Sequence, residues 1–272
     1  MGKYIGDINH TVLSDQEKDI CDLDFCIEEV GNALCCLNED SSPGIDGLPV
    51  NWYKVFYNKI KNPLFNSLKF SIENESLGIS TRRSILSLLH KGNDLPKDDI
   101  SNWRPISLTN TDYKIFSKCL AIRLQKVLGN IINLNQSGFV KGRSMSDHIR
   151  IIDDFINLSN SLCSPGMIVS LDFLKAFDSV EKSTIFASLR KFNFGDYFLK
   201  LIKTLLNNAE SCVKNGGWLS SFFDVQRGIR QGCCASPILF IIVAEIMAIK
   251  IRANENIHGL SFERKWCSVQ RN

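Results

Sequence analysis

Two carboxylates stand close together in one apolar stretch, SLDFLKAFDSV at residues 170–180, and carboxylates in such a setting can hold a divalent cation. One carboxylate binds such a cation weakly, so metal-assisted phosphoryl transfer brings at least two together. Asp172 closes a run that is apolar from Met167, which reads as a strand delivering the carboxylate at its C-terminal end. There it is either a rigidly held metal ligand or a solvated acid at a strand terminus. Asp178 lies three residues before Glu181 at a helix start and reads as a capping residue for the first-turn N–H groups. A second constellation is RGIRQGCCASPILF, where Gln231-Gly232 occupies a turn. The glycine lets the backbone approach a ligand closely, and the glutamine amide can hydrogen-bond it.

These residues need elements to hold them. Leu23, Ile27, Val30, Leu34 and Leu37 mark an amphipathic helix that stops at NEDSSPGIDG. A helix opens across Asn51 to Phe56, and the helical pattern continues from Ile60 to Ile72. Ile85 to Leu89 and the PISL run read as short buried strands around a loop. Helices follow at Tyr113 to Leu128 and His148 to Leu158, then the strand Met167 to Phe173. Further helices span Glu181 to Phe192 and Tyr197 to Leu206, and Ser211 to Val225 reads as a hairpin turning at Asn215-Gly216. Ser236 reads as the N-cap and Pro237 as a first-turn residue of a helix reaching about Ala253. The class is α+β, with buried strands covered by helices.

Composition narrows the setting. With 44% hydrophobic and 22% charged residues, the chain is an ordinary globular protein, and its net charge of +3 diagnoses no partner. Charge distribution is more informative. Ten acidic residues face Lys18 alone between Asp15 and Asp46. Lys114, Lys118, Arg123, Lys126, Lys141, Arg143 and Arg150 face only Asp147, which makes either a polyanion-facing surface or a solvated face. The ten cysteines include the adjacent pairs Cys35-Cys36 and Cys233-Cys234 and no CxxC spacing. With no apolar signal core at the start, they read as reduced, mostly buried thiols of an intracellular protein, nuclear or cytoplasmic. Ile238 to Ala244 is apolar, but Glu245 and Lys250 interrupt it too early for a membrane span.

Five blocks in order, SPGIDGLPVNWYKVF, NWRPISLTNTDYKIFSKCLAIRL, QSGFVKGRS, SLDFLKAFDSV and RGIRQGCCASPILF, resemble the blocks of non-LTR retrotransposon (LINE-type) reverse transcriptases. The resemblance runs from about Leu23 to Leu260. It implies a right-hand polymerase with fingers and a truncated palm, the antiparallel palm sheet backed by helices. Residues 1–40 would be a helical N-terminal extension, 41–165 the fingers and 166–272 a partial palm. It further implies an RNA template, a DNA primer, dNTPs and two Mg²⁺ (or Mn²⁺) ions. By this resemblance Asp172 is the first catalytic aspartate and metal ligand, with the Phe173 carbonyl beside it. Phe177 is the aromatic that excludes a 2′-hydroxyl, and Gln231 and Gly232 flank the incoming dNTP. Lys91 and Arg104 grip its triphosphate, and Lys141 and Arg143 contact template–primer phosphates. Such roles suit phosphoryl transfer, which needs metals on the reacting oxygens and cations on the phosphates.

The family's next block, an aromatic-Ala-Asp-Asp hairpin with the second catalytic aspartate, does not follow IHGL, where the chain reads SFERKWCSVQRN. The expectation is a truncated, inactive polymerase. Asp98-Asp99 lies in a loop and Asp153-Asp154 in a helical pattern before the palm strand, so neither replaces the missing carboxylate. Cys234 and Ala235 stand where Pro and Leu are usual, and Leu174 where an acid is common. A non-catalytic nucleic-acid-binding fragment is the alternative reading, and an intron-encoded maturase a lesser one.

Overall fold

The computed structural model describes residues 10–92, 94–162, 166–257 and 259. The first helix, α1 (Asp15–Asp22), starts at a reciprocal cap in which the Ser14 backbone donates to Glu17 Oε2 at 2.8 Å and the Glu17 backbone donates to Ser14 Oγ. Sequence reasoning passed over this helix, although Ser-x-x-Glu is its signature. Next come α2 (Ile27–Cys35) and α3 (Val50–Glu73). The two helical segments expected before residue 73 are thus one. Val50 and Tyr53 are buried at one end of α3, and Leu68 and Ile72 at the other. The apolar pattern fades between them because the middle turns face solvent.

After α4 (Ile79–Arg82), the strands β1 (Arg83–His90) and β2 (Trp103–Thr109) form an antiparallel ladder, with Leu86 opposite Ser107. Then follow α5 (Thr111–Ile131), α6 (Met145–Ser161), α7 (Ala176–Ser179), α8 (Lys182–Lys191) and α9 (Asp196–Leu206). The strands β3 (Glu210–Asn215), β4 (Trp218–Leu219) and β5 (Phe223–Asp224) precede α10 (Ser236–Arg252). The order is β2-β1-β3-β4, with β5 also paired to β3. β1 and β3 run parallel, so the sheet is mixed rather than antiparallel. A pairing of Arg83 with Glu210 is fixed by long-range contacts that no local pattern announces. Glu210 accepts from both Arg82 and Arg83 there, and the Ser84 and Ser211 hydroxyls meet at 2.8 Å between the strands.

One apolar core runs from Leu13 to Ile242, with α5 at its centre. Tyr113, Phe116, Leu120, Leu124 and Leu128 are all buried. So is Arg123, only 1% exposed, where the basic pattern suggested a surface. Its Nε and Nη2 grip the two Glu29 oxygens at 2.8 and 2.6 Å, and the remaining donors reach the carbonyls of Cys21, Leu23 and Asp24. Every polar atom of the fork is satisfied, which a buried guanidinium requires. Lys114 is buried too and donates to the Ser42 carbonyl. The 44–48 loop is held at the same place, Thr111 Oγ1 donating to the Leu48 carbonyl at 2.8 Å.

Residues 167–173, expected as a strand, have no regular structure. Met167, Ile168, Val169 and Leu171 are 62 to 81% exposed. A strand needs a neighbour to pair with, and the described strands pair elsewhere. The thiols also differ from expectation. Cys21, Cys119, Cys212 and Cys233 are buried, but Cys35 and Cys36 are exposed, and all described cysteines are free. Among the described residues no helix is long and apolar enough to cross a membrane.

Candidate active site

The turn that carries Gln231 and Gly232 is fastened on two sides. The Gly228 N–H donates to the Val180 carbonyl and the Ile229 N–H to the Phe177 carbonyl, both at 2.8 Å. On the other side the Ser107 N–H of β2 donates to the Gln231 carbonyl at 2.9 Å. Gly232 has φ +110°, and a Cβ there would lie 2.9 Å from the Ser107 oxygen. Both the conformation and the space demand glycine. Beneath the turn, Arg230 is 7% exposed, with its guanidinium carbon 4.8 Å over the Tyr113 ring. Its Nη2 donates to the carbonyls of Arg82 and Glu210, tying the turn to α4 and β3.

Gln231 and Asp178 meet at the mouth of a cavity of about 320 Å³, also lined by Pro105, Ser107 and Gly228. The Gln231 side chain favours the ionised form of the Asp178 carboxylate. Burial nevertheless holds that carboxyl above its ordinary range, against the opposing pull of Lys175 and Gln231. Asp178 is therefore not a helix cap. It lies inside α7, whose N-cap is Lys175, while Glu181 is the N-cap of α8 and makes no side-chain cap bond. Lys182 completes this side by donating to the Val225 carbonyl at 2.8 Å.

Phe177 is half-buried, its ring 5.6 Å from that of Phe240 on α10. Phe173 meets the same ring edge-on at 5.4 Å. Asp172, one residue before it, is exposed and sits in the unpaired 166–173 stretch rather than at a sheet edge. Among the described residues no group of three His, Cys, Asp or Glu side chains could enclose a metal. Asp178 is the carboxylate closest in sequence to Asp172 and is engaged by Gln231. The donor set around Asp172 does not fit a two-metal centre.

The expected triphosphate residues lie on the β1–β2 hairpin. Lys91 is exposed beyond the end of β1, its Nζ donating to the Ser101 carbonyl at 2.7 Å. Arg104 is exposed on β2, opposite Leu89, and does not line the Gln231 cavity. Lys141 is exposed. Arg143 is committed locally. Its guanidinium donates to the carbonyls of Asn133, Gln136, Gly129 and Ile132, closing the C-terminal end of α5. The structure thus brings Phe177, Gln231 and Gly232 together and leaves Asp172, Lys91, Arg104, Lys141 and Arg143 outside that cluster. Sequence reasoning missed Arg230 and Lys182 as its anchors and misassigned Asp178. Only the position of Arg230 directly before Gln231 hinted at its part.

Residues 95–262 match the family described as reverse transcriptase (RNA-dependent DNA polymerase), and the chain belongs to that family. Its place is among the reverse transcriptases of non-LTR, LINE-type retrotransposons. It is 34% identical over 234 residues to the transposon TX1 uncharacterized 149 kDa protein of Xenopus laevis, covering 86% of this chain and 18% of that protein. It is 26% identical over 180 residues to a Pol polyprotein of the type-1 retrotransposable element R2 of Popillia japonica, covering 66% and 25%. With the Pol polyprotein of the type-2 element R2DM of Drosophila melanogaster it shares 28% identity over 144 residues, 53% of this chain and 13% of the relative. The chain therefore spans a quarter or less of each of these relatives.

Proposed function

We propose that this chain is the nucleotide- and template-holding part of an RNA-directed DNA polymerase, which transfers dNTP-derived nucleotides onto a primer 3′-hydroxyl, and that it does not complete the chemistry alone. The observation that carries the reading is the fastened turn. The Ile229 N–H donates to the Phe177 carbonyl and Gly232 packs its backbone against Ser107, so the Gln231 turn is fixed between α7 and β2. In this reading Gln231 and Gly232 flank the incoming dNTP and Phe177 crowds its 2′ position. Lys91 and Arg104, at the end of the β1–β2 hairpin, meet the triphosphate. Lys141 contacts nucleic-acid phosphate, and Arg143 holds the loop that presents it.

Asp172 and the Phe173 carbonyl are the metal-binding side of the proposal, for Mg²⁺ or Mn²⁺. A pair of such ions stabilises attacking and leaving oxygens only when at least two carboxylates hold it. Among the described residues no group of three or more His, Cys, Asp or Glu side chains could hold a metal, and in this reading the domain does not polymerise on its own.

Primer extension on an RNA template with either ion tests this. No incorporation is expected, and incorporation abolished by Asp172→Ala overturns the claim of inactivity. The nucleotide site is tested separately by ultraviolet crosslinking of labelled dNTP. Gln231→Ala should weaken binding about 10-fold or more, the cost of losing a hydrogen bond to a charged ligand. Unchanged crosslinking removes Gln231 from the site.

A further inference from the structure

A second concavity, of about 600 Å³, lies where the carboxy-terminal ends of α5 and α10 meet the segment at residues 10–11. Gly129, Asn130 and Asn133 line it from the end of α5, and Glu245 and Arg252 from α10. Glu245 is its unusual member. The residue is 4% exposed, on a helix whose other buried side chains include Ile238, Leu239, Ile241 and Ile242. A carboxylate in such surroundings requires donors. Arg252, further along the same helix, donates from Nη2 to Oε1. Oε2 takes no hydrogen bond among the described residues and is not sealed from solvent. Since a carboxylate offers about four acceptor sites, most of its capacity remains unspent on the wall of a cavity.

The rest of the lining is rich in acceptors. Both helices end here, α5 at Ile131 and α10 at Arg252, and a helix presents its negative pole at that end. Asn130 spends its Nδ2 on Glu17, which leaves Oδ1 to accept. Asn133 adds a second amide oxygen, which takes the Asn135 N–H at 2.9 Å and keeps a further lone pair. Of the lining side chains, Arg252 and His10 alone can carry positive charge. Arg252 is committed to Glu245, and His10 Nε2 lies 3.1 Å from the Lys191 carbonyl. A bare divalent cation is poorly served, because no three His, Cys, Asp or Glu side chains gather among the described residues.

We propose that this cavity binds an alkylammonium group, its N–H donors shared between Glu245 Oε2 and the amide oxygens of Asn130 and Asn133. An ammonium brings three donors, a positive charge and no acceptor, which is what the lining lacks. The cavity exceeds the size of that group and has room for the attached methylene chain along Ile249. The ammonium belongs either to a free polyamine or to a lysine side chain. The inference stands apart from the reverse transcriptase reading and from the Gln231 turn.

Thermal melting of the full chain with spermidine, at constant ionic strength, tests the site. The melting temperature should rise with spermidine concentration, as it does for any ligand that binds only the native state. A neutral diol of similar length should have no effect. Glu245→Gln keeps the shape and an acceptor for Arg252, and should weaken spermidine about 10- to 100-fold in calorimetric titration. Gly129→Leu covers the case in which that variant does not fold. A Cβ at Gly129 meets nothing within 4 Å, and leucine favours the helix, so this variant should melt no lower while its side chain obstructs the cavity and spermidine is lost. Folded variants that bind spermidine as the wild type does overturn the site, and so does an equal shift from the diol. Competition by sulfate at matched ionic strength would place the binding on Arg252 and overturn it too. Nα-acetyl-lysine methylamide as effective as spermidine upholds the site and assigns the ammonium to a lysine side chain. A response to spermidine alone upholds it and assigns the ammonium to a free polyamine.

Discussion

Two stretches of this chain carry the residues expected to do chemistry, and they are held very differently. The 226–235 turn is bonded to β2, to α7 and to β3, and Arg230 is buried under it. The 166–173 stretch, with Asp172, is as apolar in composition yet exposed along its length, and α6 before it buries none of its residues. Apolar character brings order only where there is something to bury against. The Gln231 turn is built into the core, whereas the Asp172 stretch is not. A carboxylate that must sit within fractions of an ångström of a metal needs such support.

The largest effect that would sharpen this contrast lies in the core. Arg123→Ala leaves Glu29 and three backbone carbonyls without their donor and should cost about 3–5 kcal/mol in urea denaturation. A loss under 1 kcal/mol would mean that α1 and α2 are not fastened to α5 as described. Gly232→Ala should cost about 1–3 kcal/mol, through a strained φ and contact with Ser107. A neutral result would loosen the turn and remove the distinction between the two stretches.

A smaller effect depends on pH. Burial makes native Asp178 hold its proton more tightly than the unfolded chain does. Its stabilising contribution is therefore fully present below the ordinary value of 3.8 and is lost as pH rises through the raised native value. Asp178→Asn should melt higher than wild type at neutral pH, the gap closing on acidification. A gap that widens in acid would show that the ionised carboxylate is stabilised in place. The smallest effect belongs to the exposed side, where Ile149→Thr or Leu171→Ser should change stability by less than about 0.5 kcal/mol. A loss of 2 kcal/mol at Leu171 would reveal a packing partner and break the comparison.

Much of the scaffold was legible in local pattern. The helical spacing around Tyr113 to Leu128 corresponds to an observed helix, while the α10 start and the hairpin turn are each shifted by one residue, the N-cap being Ala235 rather than Ser236 and the turn Gly216-Gly217 rather than Asn215-Gly216. The turn at Gln231-Gly232 was legible as well. What was not legible depended on partners remote in the chain. Arg123 reads as a surface cation until Glu29 and the carbonyls of Cys21 to Asp24 close around it. Asp178 and Glu181 have capping-box spacing, but Asp178 lies inside α7 and lines the Gln231 cavity instead. Met167 to Phe173 has the composition of a strand, and composition cannot supply the neighbour that a strand requires.

Hydrogen exchange tests the central contrast most directly. The amides of Ser107, Gly228 and Ile229 should exchange slowly, since each donates to a carbonyl that fixes the Gln231 turn. Those of residues 167–173 should exchange at rates close to an unstructured chain in the same sample. Protection of the Asp172 stretch equal to that of the Gln231 turn would contradict the account. The carboxylate would then be as firmly held as the Gln231 turn.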